Sequence, residues 1–89
     1  MIEQDIEIIN KLGLHARAAA KLVDSSAQFS SRIQLGRDNS FIDAKSIMSV
    51  MMLAAGQGSR LCLRIEGYDE QAASDALTKL IGERFGEPE

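Results

Sequence analysis

Apolar and polar residues alternate with a period of two in three short stretches of this chain, and each stretch predicts a strand that is buried on one face. In the first stretch, acidic residues alternate with Ile2, Ile6 and Ile8. The other two stretches lie around residues 32–35 and 60–65, and Phe41-Ile42 begins a further short strand. The run Gly36-Arg37-Asp38-Asn39 is a turn signal between the second and third strands.

Two further segments are predicted to be helical, the first from the helical spacing of its apolar residues and the second from its end signals. The first predicted helix runs from Ala16 to Ala27, and its apolar stripe consists of Ala16, Ala19, Ala20, Val23 and Ala27, with Leu22 beside it. The second runs from Ile47 to about Leu53. Ser46 is its predicted N-cap and Gly56 its predicted end, because serine caps helix starts well and glycine favours helix ends.

A third helix is predicted to begin after Asp69, whose side chain can cap it. Its apolar stripe is the clearest in the chain and consists of Ala73, Ala76, Leu77, Leu80, Ile81 and Phe85. Gly86 is the predicted end of this helix. The remaining tail, Glu87-Pro88-Glu89, is expected to fray, as terminal residues without partners do.

The resulting order of elements is strand, helix, strand, strand, helix, strand, helix. Half-polar strands and one-sided helices fit an α+β open-faced sandwich, in which three helices cover one face of a four-stranded antiparallel sheet. We expect residues 1–89 to form a single domain, because the chain is short and shows no internal repeat or linker. Alternation alone does not determine the order of the strands.

Composition narrows the classes of protein to which the chain can belong. The net charge of −3 argues against nonspecific nucleic-acid binding, which needs clustered cations. No apolar run is long enough to span a bilayer, and the acidic, strand-like start is unlike a signal peptide, so membrane insertion is not expected. Cys62 is the only cysteine, which excludes an internal disulfide and favours a reducing cytoplasm. Without a companion thiol, Cys62 is expected to be inert.

The only histidine, His15, stands at the predicted start of the first helix, between Gly13 and Arg17. The first backbone N–H groups of a helix, here those of Ala16, Arg17 and Ala18, have no acceptor within the helix and attract an anion. Arg17 adds a permanent cation that can pair with a phosphate. These features predict that His15 carries a phosphoryl group that Arg17 stabilises.

Simpler interpretations of the same residues exist. His15 could be a helix cap or an exposed surface residue, and Arg17 could be a solvated helix residue. A metal site is a sharper competitor, but it needs three or four ligands and the chain has no second histidine. Neither a metal nor another cofactor is therefore expected.

The second predicted helix is apolar on most sides, since it contains Ile47, Met48, Val50, Met51, Met52 and Leu53. A helix of this kind cannot bury all of its side chains in so small a domain. We therefore expect part of it to be core and the remainder to form an exposed patch. Methionine side chains adapt their shape, so an exposed methionine patch suits docking to more than one partner.

Two runs of sequence, 10–20 around His15 and 45–53 in the second helix, resemble the signature motifs of the HPr family, the histidine phosphocarriers of bacterial phosphotransferase systems. The glycines of 54–58 and the acidic run 66–70 match the family pattern as well, so the resemblance covers nearly the whole chain. It implies the strand order 1-4-2-3 and phosphorylation of His15 on Nδ1. It also implies a stoichiometric carrier and not an enzyme.

The resemblance implies partners and a docking surface. An enzyme-I-like kinase, charged by phosphoenolpyruvate, would donate the phosphoryl group, and a IIA-type protein would accept it from a monomeric carrier. The docking surface would consist of Leu14, Ile47, Met48, Met51 and Met52. In some branches of the family the serine that matches Ser46 is phosphorylated by a dedicated kinase, although a capping role explains this serine without any modification.

One position departs from the family pattern, because Ala18 stands where HPr usually has proline. Alanine restores a backbone N–H that proline lacks, so the anion site stays intact. The departure is more similar to the nitrogen-related branch, NPr, than to the sugar-transport branch, which stays an alternative. A second alternative is a regulatory module whose partner binding is switched by phosphorylation of His15. A stand-alone enzyme is disfavoured, since no second acid–base group or nucleotide-binding loop is visible.

Overall fold

A computed structural model describes all residues, 1–89, and contains the seven predicted elements in the predicted order. The strands are β1 (Ile2–Glu7), β2 (Arg32–Arg37), β3 (Ser40–Asp43) and β4 (Arg60–Glu66). The helices are α1 (Ala16–Ala27), α2 (Ile47–Met52) and α3 (Glu70–Gly82). None of the helices combines the length and the apolar character needed to cross a membrane.

The four strands form one antiparallel sheet in the order β1-β4-β2-β3, as the resemblance implied. Strand β4 lies between β1 and β2, so Leu63 is opposite Gln4 on one side and Leu35 on the other. Asp38 and Asn39, both with positive φ, form a two-residue turn between β2 and β3. Asp and Asn tolerate this backbone conformation better than other non-glycine residues do.

The core lies between the sheet and the three helices. Buried residues of β2 and β4 alternate with exposed or half-buried ones, and the buried set is Ile33, Leu35, Leu61, Leu63 and Ile65. The opposite face of the sheet is polar, with ion pairs such as Arg64 to Glu3 at 2.9 Å. This one-sided burial confirms the open-faced sandwich.

Helix α1 has the predicted bounds but buries a different face. The buried residues are Ala18, Ala19, Leu22 and Ser26, whereas Ala16, Ala20 and Ala27 are exposed. Burial of a leucine contributes more than burial of an alanine, because the hydrophobic contribution scales with the apolar area removed from water. Leu22 therefore sets the rotation of the helix, and the alanine-based expectation was wrong in phase.

Of the three predicted C-terminal helix ends, those of α2 and α3 need correction. Ser46 caps α2 as predicted, since its Oγ accepts a hydrogen bond from the Ser49 backbone N–H at 3.3 Å. Helix α2 ends at Met52, and the left-handed residue after it is Ala54 with φ of 49°, not Gly56. Helix α3 ends at Gly82 and not at Gly86.

Asp69 does not cap α3, although it lies at the helix start. Its carboxylate accepts hydrogen bonds from the backbone N–H groups of Ser30 and Ser31, at 2.8 and 2.9 Å, and from the Ser31 hydroxyl. The Ser31 hydroxyl is the main reason why the pKa of Asp69 is lowered, followed by the Ser30 N–H. Asp69 thus binds the segment before β2 instead of capping α3.

Candidate functional site

His15 is presented by a loop that is tied to the segment after α2. The Leu14 backbone N–H donates to the Ala55 carbonyl oxygen at 2.8 Å. Gly13 has a φ of 68°, and a Cβ at this position would lie 2.6 Å from the Ala55 oxygen and 2.7 Å from the Gly56 Cα. Only glycine permits both this backbone conformation and this close approach.

The backbone of His15 begins α1, but its side chain does not cap the helix. His15 has an extended backbone (φ −71°, ψ 176°), and its carbonyl oxygen accepts from the Ala19 N–H at 2.8 Å. The N–H groups of Ala16, Arg17 and Ala18 precede this first helical bond, so they have no acceptor within the helix. The imidazole makes no capping hydrogen bond. The simple N-cap interpretation of His15 is therefore excluded.

The imidazole contacts a residue that the sequence did not single out, Glu87. His15 Nε2 is hydrogen-bonded to Glu87 Oε2, while the other carboxylate oxygen, Oε1, accepts from Asn10 Nδ2 at 2.9 Å. Asn10 is fully buried and also donates to the Gly13 carbonyl oxygen at 2.8 Å. The pKa of Glu87 is lowered by the hydrogen bond from Asn10 and then by that from His15, with a smaller contribution from the charge of Arg17.

Glu87 reaches His15 because the chain reverses sharply after α3. Arg84, Phe85 and Gly86 have φ values of 57°, 55° and 78°. A left-handed conformation costs a non-glycine residue about 1–3 kcal/mol, so two of these residues are strained. Phe85 compensates by burial, since only 1% of its surface is exposed, and Lys21 Nζ donates to its carbonyl oxygen at 2.7 Å.

The expectation that the tail frays was therefore wrong. Besides the contacts of Glu87, the Lys11 backbone N–H donates to the Glu89 carbonyl oxygen at 3.0 Å, and the two side chains form an ion pair at 3.4 Å. Phe85 is core, as predicted, but it reaches the core from the turn and not from the α3 stripe. The long-range partners Asn10, His15 and Lys11 were not visible in the local sequence.

An open concavity of about 540 Å³ surrounds the imidazole. Its lining includes Lys11, Leu12, His15, Arg17, Glu87 and Pro88. The Arg17 guanidinium is exposed and has no ion-pair partner. The site can therefore take a small anionic group beside His15, with a cation and unpaired N–H groups close by.

Two lysines of the motif regions do not face this concavity. Lys21 is bound to the Phe85 carbonyl oxygen, and Lys45 Nζ donates to the Phe29 carbonyl oxygen at 2.7 Å. The cations at the site are thus Lys11 and Arg17. No group of three or more His, Cys, Asp or Glu side chains is placed to hold a metal ion.

The methionine patch of α2 has the expected division between core and surface. Val50 is fully buried, whereas Met48 is 70% and Met52 80% exposed. Ile47 and Met51 are also exposed. We call Ile47, Met48, Met51 and Met52 the α2 patch.

Leu14 does not belong to the α2 patch, because it is only 5% exposed and lies in the core. Its backbone bond to Ala55 and its apolar side chain hold the loop of His15 in place, which explains its burial. The exposed leucine of this loop is Leu12, which the sequence motif did not single out and which lines the concavity. Leu12 and Leu14 both fit a period of two, so the sequence pattern could not show which of the two leucines is buried.

Cys62 is half-buried on the polar face of the sheet, in strand β4. Burial raises the pKa of its thiol, and the nearby carboxylates of Glu3 and Asp5 raise it further. A thiol that stays protonated is a poor nucleophile, which agrees with the expectation of an inert cysteine.

Comparisons with known proteins agree with this geometry. A family model described as "PTS HPr component phosphorylation site" matches residues 2–83. "Phosphocarrier protein HPr" of Cupriavidus necator is 56% identical over 89 residues, and the match covers 100% of both chains.

Solved structures give the same result. HPr-C-His from Thermoanaerobacter tengcongensis superposes with a TM-score of 0.96 at 48% identity, and the match covers 100% of both chains. An HPr dimer from the same organism superposes with a TM-score of 0.78 at 49% identity, over 98% of this chain and 100% of that chain.

Proposed function

Because the chain belongs to the HPr family of phosphocarrier proteins of the phosphotransferase system, we propose that His15 is the residue that carries the phosphoryl group. One observation carries this proposal: the only imidazole of the chain lies at the start of α1, is free of any capping role, and shares an open concavity with Arg17. As a phosphocarrier, the protein is a stoichiometric member of a transfer chain and not an enzyme.

The proposed reaction needs positioning and charge more than covalent help from the protein. The Nδ1 lone pair of His15 attacks the phosphorus of a donor phosphohistidine, and the P–N bond to the donor ring breaks as the new P–N bond forms. Arg17 and the N–H groups at the start of α1 stabilise the phosphoryl oxygens. The reverse arrangement passes the group to the acceptor. Being on the surface, the group is accessible to both partners.

We propose an enzyme-I-like kinase as the donor and a IIA-type protein as the acceptor, both docking on the α2 patch. Helix α2 packs beside α1, and the Ala55 carbonyl oxygen after α2 accepts a hydrogen bond from the Leu14 N–H, so the patch and His15 lie on neighbouring segments. Exposed methionines suit two partners of different shape. We further propose that the carrier acts as a cytoplasmic monomer, which sedimentation of the purified protein would test.

The nitrogen-related branch is the proposed setting of this carrier, with the sugar branch as the alternative. Ala18 supports this assignment, because it stands in the first turn of α1 at the position where HPr usually has proline. The distinguishing experiment is transfer from labelled phosphoenolpyruvate with purified enzyme-I-like kinases of each branch. Faster labelling by the sugar-branch kinase would reverse the assignment.

His15→Ala tests the carrier proposal itself. The variant should take up no label, because the chain has no other histidine. Label on the wild-type protein should be labile in acid and stable in alkali, as expected for a phosphoramidate. If His15→Ala accepts the label and passes it on, His15 is not the carrier residue.

A regulatory role through partner binding stays the second candidate, since the α2 patch is exposed in the unmodified protein. His15→Ala that still binds and regulates a partner would favour this candidate over transfer. Ser46 is a further candidate for regulation, because its hydroxyl lies directly before the patch and is half-buried at the start of α2. Mass spectrometry of the protein from its host would reveal phosphate on Ser46.

A further inference from the structure

The two oxygens of the Glu87 carboxylate have different partners: Asn10 binds one oxygen and the His15 imidazole binds the other. Both N–H bonds of the Asn10 amide are committed, one to the Gly13 carbonyl oxygen and one to Glu87 Oε1. The second carboxylate oxygen, Oε2, is bound to His15 Nε2. A carboxylate is an acceptor only, so the hydrogen in this contact belongs to Nε2.

We propose that Glu87 is a positioning residue, which keeps the hydrogen of the His15 imidazole on Nε2 and thereby leaves the Nδ1 lone pair free to accept the phosphoryl group. This inference rests on the proposed function of His15. In a neutral imidazole, the hydrogen bond at one nitrogen determines which nitrogen carries the proton. A buried carboxylate orients a catalytic histidine in serine proteases by the same physical principle.

Glu87 also faces the charge that develops during transfer. When neutral His15 attacks through Nδ1 and keeps its proton on Nε2, its ring becomes a cation. The donor ring, cationic while it carries the phosphoryl group, leaves as a neutral imidazole, so no proton enters or leaves the pair. A fixed carboxylate at Nε2–H stabilises the positive charge that appears on the His15 ring.

A merely structural role for Glu87, as an anchor of the tail, explains the contacts less well. The same segment is anchored independently by the buried Phe85 side chain, by the Lys21 bond to its carbonyl oxygen, and by the Lys11 pair with Glu89. An anchor would not require the carboxylate to end on the one imidazole of the protein.

Glu87→Gln gives a sharp test, because Asn10 dictates how the new amide lies. Both Asn10 hydrogens are donors, so the glutamine oxygen must take the Oε1 position and its NH₂ group must face His15 Nε2. The NH₂ group donates, which forces a lone pair onto Nε2 and moves the hydrogen to Nδ1. The attacking lone pair is thereby blocked.

The experiment records the two ring ¹⁵N resonances of His15 at a pH where the ring is neutral, together with the phosphotransfer rate. Wild type should show the hydrogen on Nε2. Glu87→Gln should show it mainly on Nδ1 and should transfer at least tenfold more slowly, in a protein that remains folded. Glu83→Gln is the matched control, because Glu83 lies in the same segment, is exposed, does not line the concavity and does not contact His15. This variant should match wild type in every measurement.

The outcomes separate this inference from the proposed function. If wild type accepts label on His15 and Glu87→Gln keeps the wild-type tautomer or the wild-type rate, the positioning role is wrong while the carrier role stands. If wild type itself accepts no label on His15, the proposed function is wrong. A melting temperature that falls in Glu87→Gln while tautomer and rate stay unchanged assigns Glu87 to anchoring alone.

Discussion

Two regions of the chain meet at His15, and they differ in how they achieve their positions. The loop before α1 holds the imidazole through contacts with neighbours in the motif and with the segment after α2. The segment 83–89 comes from the other end of the chain and reaches the same ring through a left-handed turn. The first region contains the proposed anion site, and the second contributes the carboxylate of Glu87. The residues of a motif that is local in sequence can therefore have a functional partner far away along the chain.

The largest expected effect tests whether the second region belongs to the core. Phe85→Ala should lower the free energy of unfolding by about 3–5 kcal/mol, the usual cost of truncating a buried phenylalanine. Chemical denaturation gives this value directly. Tyr68→Ala is the control, because Tyr68 is an exposed aromatic residue and its loss should change stability by no more than about 0.5 kcal/mol. Equal effects of the two substitutions would remove segment 83–89 from the core.

Arg17→Ala isolates the first region. Losing a hydrogen bond to a charged group costs roughly 1.5–3 kcal/mol, which corresponds to about a ten- to hundredfold slower transfer if the bond acts in the transition state. The fold should be unaffected, because alanine has the best helix propensity and Arg17 is exposed. Arg60→Ala, on the polar face of the sheet, should leave the rate unchanged. Equal rates for Arg17→Ala and wild type would make Arg17 a solvated surface residue.

Met48→Asp tests partner binding, which we assign to the α2 patch and not to either of these two regions. The substitution should weaken association with both donor and acceptor by about 1–2 kcal/mol or more, as expected for a residue at the centre of an interface. Thermal melting should be nearly unchanged, whereas Val50→Asp should unfold the domain because Val50 is fully buried. Titration with each partner measures the first effect. Unaltered affinity of folded Met48→Asp for both partners would exclude Met48 from docking.

The smallest effect is the pH dependence that the second region contributes. The pKa of Glu87 is lowered in the folded protein, mainly by Asn10. The stability from this carboxylate is therefore fully present above its unfolded pKa of about 4.3, and it is lost as the pH falls through the lower folded pKa. Denaturant midpoints of wild type and Glu87→Gln, measured from neutral to acid pH, should converge in acid. A constant difference between them would assign the stabilisation to packing alone.

The apolar period, together with turn and cap residues, predicted all seven elements, and their packing into an open-faced sandwich followed from one-sided burial. The errors share one physical cause. Asp69, Phe85 and Glu87 each satisfy a partner far along the chain, and local propensity cannot register such a partner. The phase of α1 failed for another reason, because alanine counts as apolar in a pattern but contributes little when buried.

The candidate site likewise contains residues that the local sequence identified and a residue that it did not. His15 and Arg17 stand together in the sequence, so the motif identified them. Glu87 follows an otherwise ordinary helix by five residues, and its only local signal is the glycine before it. The pair Leu12 and Leu14 shows a smaller case, since only the tie of Leu14 to Ala55 decides which leucine is buried.

The close contact between Gly13 and residues 55–56 has a consequence for the speed of partner exchange. This contact joins the loop of His15 to the segment that leaves α2, so it connects the proposed docking helix to the proposed carrier ring. A partner that seats itself on α2 meets a ring whose distance and direction are already settled. The entropy of ordering that ring is spent once, during folding, and not at each encounter. A carrier that visits two partners in every cycle gains from this saving twice.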